Sequence, residues 1–123
     1  MKLNVMILTV LLMTSIAYAD SQQWVKPIDI TAQVPESVKQ ISSLIDEITQ
    51  NVVSCVGVGK NRDECICKQK NGHKKLRTLY KKIIAKHPEW SNSAVSYREG
   101  DAQHMVSFVG IKLQLQQYDK LCK

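Results

Sequence analysis

Four cysteines and three histidines are the residues best equipped for chemistry in this chain of 123 residues. Cys65 and Cys67, separated by one residue, could offer two thiolates to copper or zinc, with His73 or His87 as an imidazole partner. Their spacing is one residue short of the two-residue gap of zinc knuckles. A catalytic dithiol would need an exposed thiolate of low pKa. The chain has no Cys-x-x-Cys, and lysines such as Lys68 and Lys70 are too common here to mark a special thiol. The remaining use of the sulfurs is structural. Four cysteines allow three pairings, and a Cys65–Cys67 ring would be strained, which leaves Cys55 with one of the two and Cys122 with the other. Residues two apart on a helix point about 200° from each other. A helix that turns Cys65 toward the face of Leu76 and Leu79 favours Cys55–Cys65 with Cys67–Cys122, and the swapped pairing stays open. The reading adopted is two staples and no cofactor, with copper or zinc at Cys65 and Cys67 as the alternative.

No catalytic set stands out beside the sulfurs. There is no G-x-S-x-G nucleophile turn. Gly57-Val58-Gly59-Lys60 is a fragment of a phosphate loop, but Asn61 replaces the Ser/Thr after the lysine and Ser54 takes the place of the first glycine. The pairs Asp46-Glu47 and Asp63-Glu64 are sequence neighbours, whose side chains diverge on a helix. His87 before a proline and His104 near an expected helix start are read as surface or capping groups. The sequence therefore predicts a protein that is not an enzyme.

Charge gives a better lead. Eight Lys or Arg residues and no Asp or Glu lie between Lys68 and Lys86. On a helix over 74–86, Lys74, Lys75, Arg77, Lys81, Lys82 and Lys86 would surround a stripe of Leu76, Leu79, Tyr80, Ile83 and Ile84. A basic amphipathic helix of this kind suits anionic lipid headgroups or an acidic protein face. Tyr80 and Trp90 do not interleave with the charges as base-stacking aromatics would, so nucleic acid is not expected.

The compartment follows from the start of the chain. Lys2, the apolar run Val5 to Ile16 and the small-x-small triplet Ala17-Tyr18-Ala19 have the form of a signal peptide over 1–19, cut before Asp20. The apolar run is too short to span a bilayer, and no transmembrane segment is expected after its removal. Without Lys2 the chain carries 16 basic and 11 acidic residues, a net charge of about +5. No Asn-x-Ser/Thr acceptor is present. A secreted protein, best suited to a bacterial periplasm, is expected, and an oxidising compartment suits the disulfide reading.

The elements that must position these residues are mostly helical in pattern. Residues 20–34 lack a helical period and form an extended arm, with Trp24 as its anchor. Residues 35–56 give the clearest helix, with Val38, Ile41, Leu44, Ile45, Ile48, Val52 and Cys55 at three- and four-residue steps and Pro35 in the first turn. Asn61 can cap a second helix with Glu64 three positions on, and Asn71-Gly72 breaks or bends it. The segment 74–86 follows and His87-Pro88 closes it. Trp90 falls in a loop, and Ser91 or Asn92 starts a short helix through Val95 and Tyr97 that Gly100-Asp101 ends. From His104, the spacing of Phe108, Ile111, Leu115, Tyr118 and Cys122 predicts a last helix, although Ile111, Leu113 and Leu115 also alternate as in a strand. The fold class expected is all-α: one small domain over 35–123 of four to five helices, stapled by disulfides, behind its extended arm.

The stretch Leu79-Tyr80, Trp90, Tyr97-Arg98 and Ala102 resembles the LprI family of small periplasmic lysozyme inhibitors. It covers under a quarter of the chain. The family pattern closes on a Cys shortly after the Tyr-Arg pair, where this chain has Gln103 and His104. The resemblance implies an inhibitor as one reading and carries over no site. The expectation is thus a non-catalytic binding protein whose basic helix meets an anionic envelope component or an unidentified acidic protein.

Overall fold

A computed structural model describes residues 26–123. The expected signal peptide, the Trp24 anchor and the start of the arm lie outside these residues. The chain forms β1 (Ile28–Asp29), α1 (Glu36–Gly57), α2 (Arg62–Cys67), α3 (Lys70–Lys86), a 3₁₀ turn (Pro88–Trp90), β2 (Ala94–Glu99), β3 (Ala102–Ser107) and α4 (Phe108–Leu121). The expected all-α class is therefore wrong: four helices accompany a three-stranded mixed sheet of order β1-β2-β3.

The correction falls in residues 91–107. Instead of a short helix followed by a helix from His104, β2 and β3 form an antiparallel hairpin with Val95 opposite Val106 and Tyr97 opposite His104. Its two-residue loop is Gly100-Asp101, where Gly100 takes a φ of 62° and Asp101 does not go positive. Glycine at the first central position suits the tight loops whose twist matches that of the strands. Val95, Tyr97 and Val106 are buried, while Arg98, Gln103 and Met105 are exposed. That is the two-residue alternation of a sheet with one covered face. β1, the described end of the arm, adds a parallel edge to β2, and Ile30 extends it by donating its N–H to the Ser96 carbonyl at 2.9 Å.

α1 buries Val38, Ile41, Leu44 and Ile48 along one stripe. Asn61 caps α2, its side-chain oxygen accepting from the N–H of Asp63 at 2.9 Å and of Glu64 at 3.4 Å, which satisfies donors left free at a helix start. The chain breaks at Lys68–Gln69 and then continues as one helix through Asn71 and Gly72, where a break was expected. Gly72 has a packing reason instead. A Cβ there would lie 2.9 Å from Cγ1 of Ile48, so the missing side chain lets α1 and α3 approach.

The core lies between the inner face of the sheet and α1, α3 and α4. Leu76 and Ile83 come from α3 and Phe108, Ile111 and Leu115 from α4. Trp90 is buried, stacked on His87 at 3.8 Å and on Phe108 at 5.8 Å between ring centroids. Two disulfides, Cys55–Cys65 and Cys67–Cys122, join α1 to α2 and α2 to the end of α4. Such bonds belong to an oxidising, extracellular type of environment. Among the described residues no helix is long and apolar enough to cross a membrane.

Candidate functional site

α3 carries lysines on every side that its neighbours leave open. Seventeen residues without an acid, a proline or a β-branched run beyond Ile83-Ile84 make a helix whose two faces separate cleanly. The inner stripe is Leu76, Ile83 and His73, flanked by half-buried Leu79, Tyr80 and Ile84. At 100° per residue, the remaining positions from Lys81 and Lys74 round to Lys82, Lys75 and Lys86 sweep roughly 140° of the helix surface. All five lysines are exposed, and none has an ion-pair partner among the described residues.

Arg77 departs from this group. It is half-buried and ion-paired with Asp119 of α4, which neutralises it. The working face is thus Lys74, Lys75, Lys81, Lys82 and Lys86. Toward α1 the face borders an open groove of about 820 Å³ with Leu44 and Leu79 in its lining. There Lys39, Lys74 and Lys75 share the lining with Glu36 and Glu47. Lys74 and Lys75 therefore share the rim of the groove with these acids, while Lys81, Lys82 and Lys86 lie outside its lining, and the like charges on the outward side of α3 raise the local potential.

The other candidate groups are tied up in the fold. All four sulfurs are in disulfides and no free cysteine remains, so Cys65 and Cys67 offer no thiolate to copper or zinc. Cys65 is fully buried. Among the described residues no three His, Cys, Asp or Glu side chains are grouped to hold a metal ion. His73 is only 2 % exposed, stacks on Tyr118 at 4.1 Å, and donates from Nδ1 to the Gln69 carbonyl at 2.7 Å. Its Nε2 meets the Gln114 side-chain amide at 3.4 Å, so both ring nitrogens of this core histidine have partners within the fold. His87 lies against Trp90 and Glu89, and His104 against Tyr97, so no two imidazoles meet. Glu64 pairs with Lys68 at 3.4 Å one turn along.

Two features escaped the sequence. Asp119 reaches Arg77 from 42 positions away, and no local pattern announces it. A second, more apolar cleft lies between α1, α2 and α4, with Arg62, Val53 and Leu113 in its lining. Its only sequence trace is the position of Val53 and Leu113 off the buried stripes of their helices. No family model matches the chain, and neither the curated proteins nor the solved structures give a match to it.

Proposed function

We propose that this is a non-catalytic binding protein, secreted to the bacterial periplasm, that uses the outer face of α3 to dock on an anionic envelope surface. The observation that carries the reading is that every lysine of α3, Lys70 and the five of the outer face, is exposed and free of ion pairs among the described residues, on a helix without an acidic residue. The signal-like start of the sequence and the two disulfides support the compartment. The imidazoles and sulfurs are engaged in packing, which supports a role without chemistry.

Each lysine close to an anionic leaflet contributes about 1 kcal/mol. Reversing three of them, Lys74→Glu, Lys81→Glu and Lys82→Glu, removes about 3 kcal/mol before any new repulsion is counted. Affinity for vesicles rich in anionic lipid should therefore fall by more than about 100-fold. All three side chains are exposed, so the helical signal should not change. Retention equal to that of the unaltered chain overturns the reading. Loss of capture by an acidic protein, with no vesicle binding by either form, would replace the envelope surface with a protein partner.

A further inference from the structure

The second cleft is independent of the lysine face. α4 leans on α3, α2 and β2, and its other side stands off from the last turns of α1. The gap is a cleft of about 420 Å³, within the range of about 300–1,000 Å³ usual for small-molecule sites. Val52 and Val53 of α1 form one wall and Leu113, Gln114 and Gln117 of α4 the other, with Ile66 from α2. Buried His73, stacked on half-buried Tyr118, also lines it, and the Cys67–Cys122 bond fixes the end of α4 against α2.

Three observations set the chemistry of its occupant. Val53 and Leu113 remain 60 % exposed on opposite walls, so apolar surface that the core does not use faces one gap. The uncharged polar groups there, the amides of Gln114 and Gln117, the phenol of Tyr118 and the hydroxyl of Thr49, can both donate and accept, and the Thr49 hydroxyl already donates to the Ile45 carbonyl. Arg62 is the one charged residue in the lining, no acid accompanies it, and no ion pair engages it among the described residues. The larger groove beside α3 lacks this asymmetry, since Glu36 and Glu47 face its lysines. A second copy of a chain whose net charge without residues 1–19 is about +5 would bring its own positive surface to Arg62. A single guanidinium beside an apolar slot instead asks for one carboxylate or sulfonate on an apolar body.

We propose that the cleft between α1, α2 and α4 binds a small amphipathic anion, its apolar body between Val53 and Leu113 and its acid group on Arg62. The test is calorimetric titration of the intact, oxidised chain with decanoate, with anilinonaphthalene sulfonate, and with decylammonium as the oppositely charged control. Saturable binding of at least one anion is expected, and the tighter of the two tells an aliphatic from an aromatic body. Decylammonium should bind at least 10-fold more weakly than decanoate. Leu113→Asp and Val53→Asp, both at exposed positions, should weaken anion binding more than 10-fold. Arg62→Gln should do so while narrowing the gap between decanoate and decylammonium. The Lys74, Lys81 and Lys82 reversals should leave it unchanged, which separates this site from the α3 face. No saturable binding at millimolar anion, equal binding of decylammonium, or indifference to Leu113→Asp and Arg62→Gln would overturn the proposal.

Discussion

Replacing Cys67 and Cys122 together by Ala should lower the stability of the oxidised chain by about 4 kcal/mol. This bond closes a loop of 55 residues, whereas Cys55–Cys65 closes one of 10. Restricting the unfolded chain over those lengths is worth about 4 and about 3 kcal/mol respectively in the chain-entropy treatment. Cys67 and Cys122 are half-buried, so their truncation leaves little cavity and the entropic effect can be read directly. Cys65 is fully buried, and removing its bridge would mix in a packing loss. Against the 5–15 kcal/mol or so typical of a native domain, the loss is large enough to leave the variant marginal. Urea unfolding followed by far-ultraviolet circular dichroism gives the number, and hydrogen exchange should show the last turns of α4 opening first. A loss below about 1.5 kcal/mol would refute the argument that this bridge acts by closing the long loop.

Two further predictions probe the packing and the sheet edge. Gly72→Ala should destabilise the chain by about 1 kcal/mol, because crowding Ile48 costs about 1–3 kcal/mol and the helix-propensity gain returns at most about 1. A more stable Gly72→Ala variant in chemical unfolding would remove Gly72 as the reason α1 and α3 approach. At the sheet edge, Asp29 accepts from the Thr31 hydroxyl at 2.6 Å and from its N–H at 2.9 Å. Those bonds, the hydroxyl first, hold its carboxyl below the usual 3.8. With a folded value below the unfolded one, the contribution is present above the unfolded pKa and is lost as the pH falls through the folded pKa. An NMR titration of the Asp29 carboxyl should shift upward on Thr31→Val, and an unchanged value contradicts the assignment.

How far the chain could be read from its residues depends on whether a local pattern had a local cause. The stripe Val38, Ile41, Leu44 and Ile48 is long enough to identify α1, and Asn61 marks the start of α2 because its cap bonds are made within three residues. The hairpin is not legible in the sequence because Val95 and Tyr97, or Met105 and Val106, are too few to separate a period of two from one of 3.6. Phe108, Ile111 and Leu115 do form a helix, and His104 merely falls at the next helical step upstream. The informative signal was Gly100-Asp101 between two equal six-residue segments, a loop rather than a helix stop. Gly72 has a cause of a different kind: Ile48 on another helix, which no window around it contains. The lysine run was legible as composition, but its division into five open lysines and a neutralised Arg77 needed α4 in place. The apolar cleft depends wholly on how α4 leans, so its residues read in sequence as stray exposed valine and leucine.

The central claim is electrostatic docking through α3, and co-sedimentation with lipid vesicles over a range of salt tests it most directly. Exposed charges act over about 10 Å at 0.1 M salt and about 3 Å at 1 M. The account predicts that the chain sediments with anionic vesicles at low salt, is released progressively as salt rises, and ignores zwitterionic vesicles throughout. Equal binding to both kinds of vesicle, or anionic binding that 1 M salt leaves intact, would contradict it.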